Sequence, residues 1–275
     1  MTWEQAVLHL RGAPEHRALV RDAYYDDPLS AAAARYHDSA EWADICAWLD
    51  GAGGDALDLG AGRGIASYAL AMEGYTVTAL EPDPSAIVGA AAISALAGET
   101  RLPITVVSGA AEAIPSPERS FDLVFARAAL HHTRDLAAAA CAEIARVLRP
   151  GGRLIAVREH VISRPADLER FFEIHPLHRH YGGENAFLLS AYTGAITAAG
   201  LVLEAVLTPL GSAMNYAPQS RDSLRAAAAA RAGPLRGPLE ALLSAPGVWG
   251  SLLPLLTALD HRPGRHYAFV ATRPR

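Results

Sequence analysis

The chain has 275 residues and a formal net charge of −5, with 24 basic and 29 acidic side chains. This length fits one large α/β domain or two small domains, and the absence of a Lys/Arg stripe argues against a nucleic-acid partner. Two cysteines, Cys46 and Cys141, are too few for a disulfide framework, so we expect both to be reduced.

Residues 2–49 are predicted to be helical, because Trp42, Ile45, Cys46 and Leu49 recur at three- and four-residue spacing. The N-terminus lacks the basic start and apolar core of a signal peptide. The apolar stretch from Val248 to Leu259 is too short for a membrane span. We therefore expect a cytoplasmic protein that does not contact a membrane.

A first strand is predicted to end in a glycine-rich loop, within the segment Ala56-Leu57-Asp58-Leu59-Gly60-Ala61-Gly62-Arg63-Gly64. Glycines let a backbone turn sharply and approach a ligand closely. A helical stripe of Ile65, Tyr68, Ala69 and Met72 follows, and Gly74 is predicted to end that helix in a left-handed conformation.

A second apolar run, Tyr75 to Leu80, ends in Glu81. A carboxylate at the tip of this strand can accept hydrogen bonds from both hydroxyls of a ribose. Further strands are predicted at 104–107, 123–125 and 153–157, alternating with helices. This alternation indicates βαβ units and a parallel sheet whose ligand edge lies after the strands.

The glycine spacing differs from a dinucleotide fingerprint, which would place its third glycine at position 65, where this chain has Ile65. Glycine stands at 64 instead. The segment closely resembles motif I of the class I S-adenosylmethionine (SAM)-dependent methyltransferases. Three later segments resemble the family in the same order: Ala79-Leu80-Glu81-Pro82-Asp83, Gly109-Ala110-Ala111-Glu112, and the stretch from Ser120 to Leu154 with its Pro150-Gly151-Gly152 turn.

The resemblance implies roles for particular residues. Glu81 and the adjoining Pro82 would meet the ribose, Ala111 and Glu112 would face the adenine, and Asp58 would position the loop and the amino group. The loop residues Gly60, Ala61, Gly62 and Gly64 would lie against the methionine portion of the cofactor. Independently of the resemblance, Arg127 follows the strand predicted at 123–125 and so should lie at the ligand edge, where it would contact the cofactor carboxylate or an acidic substrate, or else form a surface ion pair.

The resemblance covers about residues 50–160 and implies a Rossmann-like, doubly wound, mostly parallel seven-stranded sheet with an antiparallel last strand. We expect a single α/β domain over 1–275. It would comprise an N-terminal helical cap (1–50), a core (51–207 and 266–275) and a helical insertion (208–265). The insertion could cover the substrate pocket with the N-terminal helices, or it could serve a homodimer or extend the core.

Three histidines are candidates for a general base, because imidazole titrates in the useful range. His131 and His132 lie in the loop after one strand, and His160 follows the next, beside Glu159 as an orienting group. The alternative is that they bond the backbone. His175, His178 and His180 match no zinc signature, so no metal is expected. These later segments, through Tyr181-Gly182-Gly183-Glu184-Asn185, resemble a bacterial branch of the family without a settled substrate.

The leading hypothesis is a SAM-dependent methyltransferase that acts on a small molecule by direct in-line transfer, with the acceptor atom open. A second hypothesis is a SAM-binding protein of the same fold that catalyses a non-methylating reaction or has lost activity. A nicotinamide oxidoreductase is a third, and Ile65 and the Pro150-Gly151-Gly152 turn argue against it.

Overall fold

The computed structural model describes residues 1–49, 51 and 53–275, except for the side chains of residues 137 and 138. Its first 46 residues form four helices joined by short turns, as the sequence predicts. These are α1 (Trp3–Gly12), α2 (Arg17–Asp22), α3 (Leu29–His37) and α4 (Ala40–Cys46). Thr2 caps α1 and Ser39 caps α4, each by accepting a hydrogen bond from a backbone N–H of the first turn.

The strands form one sheet in the order β3-β2-β1-β4-β5-β8-β7, with the short β6 beside β5. Strands β1 to β5 run parallel, and β8 is antiparallel to both β5 and β7. This confirms the predicted mostly parallel sheet with an antiparallel last strand; the two-residue β6 is an addition. The strands are β1 (Gly54–Leu59), β2 (Tyr75–Leu80), β3 (Ile104–Val107), β4 (Phe121–Arg127), β5 (Leu148–Ile162), β6 (Phe187–Leu188), β7 (Val202–Leu207) and β8 (Arg265–Thr272).

Helices cover both faces of this sheet. After β1 they are α5 (Ile65–Met72), α6 (Ala90–Thr100), α7 (Cys141–Val147), α8 (Asp167–Ile174), α9 (His178–Tyr181), α10 (Leu189–Ala198), α11 (Ala213–Tyr216), α12 (Arg221–Ala230), α13 (Arg236–Ser244) and α14 (Val248–Leu259). A 3₁₀ turn, Leu130–His132, follows β4 and carries two of the histidines selected from the sequence.

Alternate residues of the central strands enter two separate apolar cores. Leu57 and Leu59 of β1 pack with α7 and α10 on one face, while Ala56 packs with α3, α4 and α5 on the other. Burial on both faces explains why these strands read as continuous apolar runs. The predicted stripe of α5 is confirmed at Ile65 and Ala69, but Met72 is 48% exposed.

Residues 208–265 carry four α-helices, α11 to α14, and a 3₁₀ helix, Gly233–Leu235, directly before α13. Helices α12, α13 and α14 share a small apolar cluster of their own. Ala229, Leu243 and Trp249 are buried in it. No single helix in the described part of the chain is long and apolar enough to cross a membrane. The consecutive segments Gly233–Ser244 and Val248–Leu259 together have the length and apolar composition of a span, but the break between them bends the pair by 113°.

Candidate active site

The glycine loop lies at the carboxyl end of β1, where the parallel sheet opens. Gly60, Gly62 and Gly64 have φ angles of +68°, +55° and +84°, a region that L side chains rarely adopt. A Cβ on Gly60 would lie 2.9 Å from the Cβ of Ala129, whereas one on Gly62 would meet nothing closer than 3.9 Å. The loop is therefore bare backbone with open space beside Gly62.

Glu81 follows β2 and reaches back to this loop. Its Oε2 accepts a hydrogen bond from the Gly62 N–H at 2.7 Å, and its Oε1 accepts one from the Asp83 N–H at 2.9 Å. Burial raises the pKa of Glu81 to about 7. A carboxylate at the tip of this strand is therefore fixed beside the loop, as its position in the sequence predicts.

Asp58 lies inside β1, one residue before the strand ends. Its Oδ2 accepts a hydrogen bond from the Ser67 hydroxyl of α5 at 2.5 Å. Burial raises the pKa of Asp58 to about 6, although the bond from Ser67 partly offsets this effect. Asp58 links the strand to the helix on the other side of the glycine loop, which fits a positioning role.

Arg127 ends β4 and forms a bidentate ion pair with Glu41 of α4. The Nε–Oε1 and Nη2–Oε2 distances are 2.7 Å and 3.2 Å. Burial alone would raise the pKa of Glu41, but Arg127 and Arg158 outweigh it and lower that pKa. The guanidinium of Arg127 also lies 5.0 Å from the ring centroid of Tyr36. Of the two roles considered for Arg127, the structure shows an ion pair, and that pair is largely buried.

A cavity of about 400 Å³ opens over the glycine loop. Its lining includes every cofactor residue selected from the sequence: Asp58, Gly60, Ala61, Gly62, Glu81, Pro82, Ala111, Glu112 and Arg127, with the exception of Gly64. Gly64 lies behind the loop as the N-terminal cap of α5, and a Cβ there would lie 3.0 Å from Ile93. The volume falls within the range of about 300–1,000 Å³ for small-molecule pockets.

Aromatic side chains from outside the sheet cover this cavity. Trp3 of α1 lies 5.5 Å from Tyr25 and 4.7 Å from Tyr181, measured between ring centroids, and all three line the cavity. Arg63 of the glycine loop fixes the covering segment by donating hydrogen bonds to the carbonyls of Tyr24 and Asp26 at 3.1 Å and 3.0 Å. The N-terminal helices thus form part of the site.

The three candidate bases occupy different environments. His132 lines the cavity, and its side chain is 40% exposed. His131 and His160 are buried and are absent from the cavity's lining. Burial lowers the pKa of His132 and lowers that of His160 more strongly. Burial also opposes a charge on His131, but Glu159 outweighs it and raises the pKa to about 9.

Glu159 orients His131, although the sequence suggested that it would orient His160. Its carboxylate accepts the His131 Nδ1–H at 2.8 Å and the backbone N–H groups of residues 129, 130 and 131 at 3.1, 3.0 and 2.9 Å. Neighbouring residues of a strand point to opposite faces, so Glu159 and His160 separate. His160 instead bonds the carbonyl of Gly264 through Nδ1 at 2.9 Å.

The residues that the sequence did not reveal come from distant parts of the chain. Glu41 meets Arg127 across 86 positions, and Glu184 approaches His131 and His132. Among the described residues, 208–265 contribute nothing to the lining of the first cavity; they line a second one of about 570 Å³ beside Arg158. The insertion, all of which the structure describes, therefore does not line the cavity over the glycine loop.

The sheet core of this chain is similar to several methyltransferases. A family model described as a methyltransferase domain matches residues 57–156. An uncharacterised methyltransferase of Mycobacterium tuberculosis is 41% identical over 99 residues, covering 36% of this chain and 37% of that protein. The ubiquinone biosynthesis O-methyltransferase of Methylobacterium nodulans is 37% identical over 103 residues, covering 36% and 39%. The chain thus matches less than half the length of these relatives.

Solved structures extend the similarity of fold to most of the chain. Geranyl diphosphate C-methyltransferase from Streptomyces coelicolor aligns with a TM-score of 0.59 at 15% identity, covering 91% of this chain and 87% of that one. The cyclase SpnF aligns with a TM-score of 0.57 at 21% identity, covering 85% and 80%. The sheet order and the glycine loop agree with the match of residues 57–156 to a methyltransferase domain, and the chain shares the fold of these solved structures.

Proposed function

We propose that this protein transfers a methyl group from SAM to a small-molecule acceptor. The main support for the proposal is that the bare glycine loop, the carboxylate of Glu81 and the loop at Ala111 and Glu112 all line the same cavity. These are the three places where the family's motifs meet its cofactor. The family match over residues 57–156 supports the same reaction class.

The residues present fit SAM. A side chain on Gly62 would project into the open space beside the loop, whereas the glycine leaves this space free for a ligand. Glu81 can exchange its bond to Gly62 for the two hydroxyls of a ribose, because a carboxylate has about four acceptor positions. Asp58, fixed by Ser67, lies where it can attract the cationic amino group of the methionine portion.

SAM supplies a methyl group on a cationic sulfur, which keeps the electron pair of the carbon–sulfur bond when an acceptor atom bonds to the carbon. The protein must align the acceptor and exclude water. Good alignment is worth roughly 7–11 kcal/mol. Trp3, Tyr25 and Tyr181 cover the cavity, which supports their assignment to water exclusion.

The acceptor is proposed to bind next to His132, the candidate base that lines the cavity. An oxygen or carbon acceptor must lose a proton there, whereas a neutral amine or a thiolate needs less help. The Methylobacterium relative is named as an O-methyltransferase, which makes oxygen the first acceptor class to test.

Product analysis tests the proposal. The protein is incubated with SAM and a panel of phenols, enols and amines, and S-adenosylhomocysteine and methylated products are measured by mass spectrometry. We expect both products in equal amounts with at least one acceptor class, and at least about tenfold less of both in Glu81→Gln at a SAM concentration below the wild-type Kd. SAM binding without either product would favour the second hypothesis, a SAM-dependent fold with non-methylating chemistry, for which the similarity to the cyclase SpnF is the supporting observation.

A further inference from the structure

Beside the cavity lies a cluster of possible metal ligands, two histidines and a glutamate, that has no role in the cofactor site described above. His131 and His132 of the 3₁₀ turn after β4 face Glu184, which follows α9. The Nε2 atoms of the two histidines lie 3.6 Å and 3.8 Å from Oε2 of Glu184. One ligand atom from each of the three residues lies within 4.8 Å of the others.

Hydrogen bonds fix the tautomer of both imidazoles. His131 Nδ1 faces the Glu159 carboxylate at 2.8 Å, and His132 Nδ1 faces the Gly183 carbonyl at 3.1 Å. Carboxylate and carbonyl oxygens only accept, so each Nδ1 carries a proton and each Nε2, the atom that could bind a metal, faces Glu184. Metal-binding histidines are held in this way, with a carboxylate or carbonyl behind the ring.

Glu184 is held in the same manner. Its side chain is 6% exposed, and Oε1 accepts a hydrogen bond from the Tyr181 hydroxyl at 2.7 Å, which leaves Oε2 for the histidines. The gaps of 3.6 Å and 3.8 Å are too long for hydrogen bonds. Zinc bonds of 2.0–2.2 Å in a tetrahedral arrangement separate neighbouring ligand atoms by about 3.3–3.6 Å. A small inward shift would therefore accommodate an ion.

The charge of the cluster also favours a cation. Glu159 and Glu184 are both buried, and in the described part of the chain neither forms an ion pair with Lys or Arg. Metal binding would displace the second proton that Glu159 favours on His131, and a divalent ion would then balance the charges of the two carboxylates. A second trio, His160, His175 and Glu184, shares the carboxylate. His175 is the poorer ligand, because its Nδ1 accepts the His178 N–H at 3.3 Å and the proton then sits on Nε2.

We propose that His131, His132 and Glu184 bind a divalent first-row transition-metal ion, with Zn²⁺ as the first candidate. Two imidazoles and one carboxylate with open positions are the ligand set of catalytic zinc and non-haem iron sites. The sequence-based expectation of no metal considered His175, His178 and His180. The set proposed here pairs the adjacent His131 and His132 with Glu184, which lies 52 residues after His132 in the chain.

Its role in catalysis rests on the proposed methyl transfer, because His132 and Tyr181 both line the cofactor cavity. An acceptor hydroxyl that binds the ion through oxygen would lose its proton to solvent water at neutral pH, because coordination lowers the pKa of bound hydroxyl groups. The resulting oxyanion would bond to the methyl carbon as the carbon–sulfur bond breaks, with its electron pair kept by the sulfur of SAM. The acceptor class is accordingly a small molecule with a hydroxyl oxygen that can bind a divalent ion.

Direct metal binding tests the site without relying on activity. The full chain is stripped with a chelator and titrated with Zn²⁺ and with Co²⁺, whose visible absorption reports coordination. We expect one equivalent per chain, with affinity reduced about 100-fold or more in Glu184→Gln and in His132→Gln. Glu184→Gln keeps an acceptor for Tyr181, and His132 is partly exposed, so the two variants do not depend on the same packing. His37→Gln is the matched control, since His37 pairs with Glu73 at 3.0 Å outside the cluster.

Less than a tenth of an equivalent bound to the wild-type chain, or equal affinity in wild type and both variants, would overturn the metal site. SAM titration of the same samples separates the two proposals. Metal binding without SAM binding would leave the site standing and contradict the proposed function. Methyl transfer that continues unchanged in chelator-stripped protein would contradict the metal's role and leave the proposed function standing.

Discussion

At the scale of single residues, the sequence predicted those site residues that lie at the ends of strands and missed those that lie elsewhere. Asp58 and Glu81 are recognisable because each lies at the end of an apolar run, and parallel strands place such ends at one edge. Glu41 lies in a helix and Glu184 in a loop, so neither is recognisable from a place at the end of a strand. Their partners, Arg127 and His131, lie far away in the chain, so the contacts exist only after the helices have packed on the sheet.

Glu81→Gln should weaken SAM binding roughly 10- to 150-fold. Hydrogen bonds to a charged group contribute about 1.5–3 kcal/mol, and the amide retains only one acceptor atom. Calorimetric titration measures the change, and Glu99→Gln on the exposed face of α6 is the control. An affinity equal to that of the wild type would mean that Glu81 does not hold the ribose.

The pH dependence of SAM binding follows from the same carboxyl group. Burial raises the pKa of Glu81 to about 7 in the free protein, and ribose hydroxyls stabilise the ionised form. Below pH 7 the carboxyl must therefore lose a proton to bind. We expect the Kd to rise by up to tenfold per unit as the pH falls from 7 to 5.5, and to level off above pH 8. A Kd in Glu81→Gln that follows the same curve would contradict this assignment.

At the scale of elements, strands were predicted better than the loops that bring them together. The runs at 75–80 and 104–107 match β2 and β3 in full, because strands inside a parallel sheet are recognisable as largely apolar runs of residues. The prediction that residues 2–49 are helical holds as far as Cys46, although turns divide the segment into four helices and Leu49 of the predicted stripe lies beyond α4. The position of these helices over the cavity depends on Arg63 and on aromatic contacts that no local pattern encodes.

Arg63→Ala should loosen the cover formed by the segment between α2 and α3. The buried guanidinium donates to the carbonyls of Tyr24 and Asp26, and the loss of these bonds leaves both without that partner. Hydrogen exchange should accelerate in residues 23–28, and SAM should dissociate several-fold faster. Arg17→Ala, exposed on α2, is the control. Unchanged exchange in this segment would show that Arg63 does not hold the cover.

At the scale of the whole molecule, the cofactor cavity and residues 208–265 lie apart, because none of the described residues in 208–265 lines that cavity. The sequence left open whether this insertion covers the pocket, supports a homodimer or extends the core. The structure places it beside a different cavity, with its own apolar cluster around Trp249. The homodimer and the cytoplasmic location remain predictions.

Trp249→Ala should destabilise the insertion while leaving SAM affinity unchanged. Trp249 of α14 is 4% exposed and packs with residues of α12 and α13, and removing a buried tryptophan typically costs about 3–5 kcal/mol. Hydrogen exchange should increase in α12 to α14 but not at the glycine loop. A parallel loss of SAM affinity would show that the insertion and the cofactor cavity are coupled.

Calorimetric titration of the wild-type chain with SAM, S-adenosylhomocysteine and NAD tests the central claim most directly. The glycine loop, Glu81 and the cavity at Ala111 predict micromolar binding of SAM and S-adenosylhomocysteine and no binding of NAD. Binding of NAD without SAM, or no binding of SAM at all, would contradict the proposal that this cavity serves a methyltransferase.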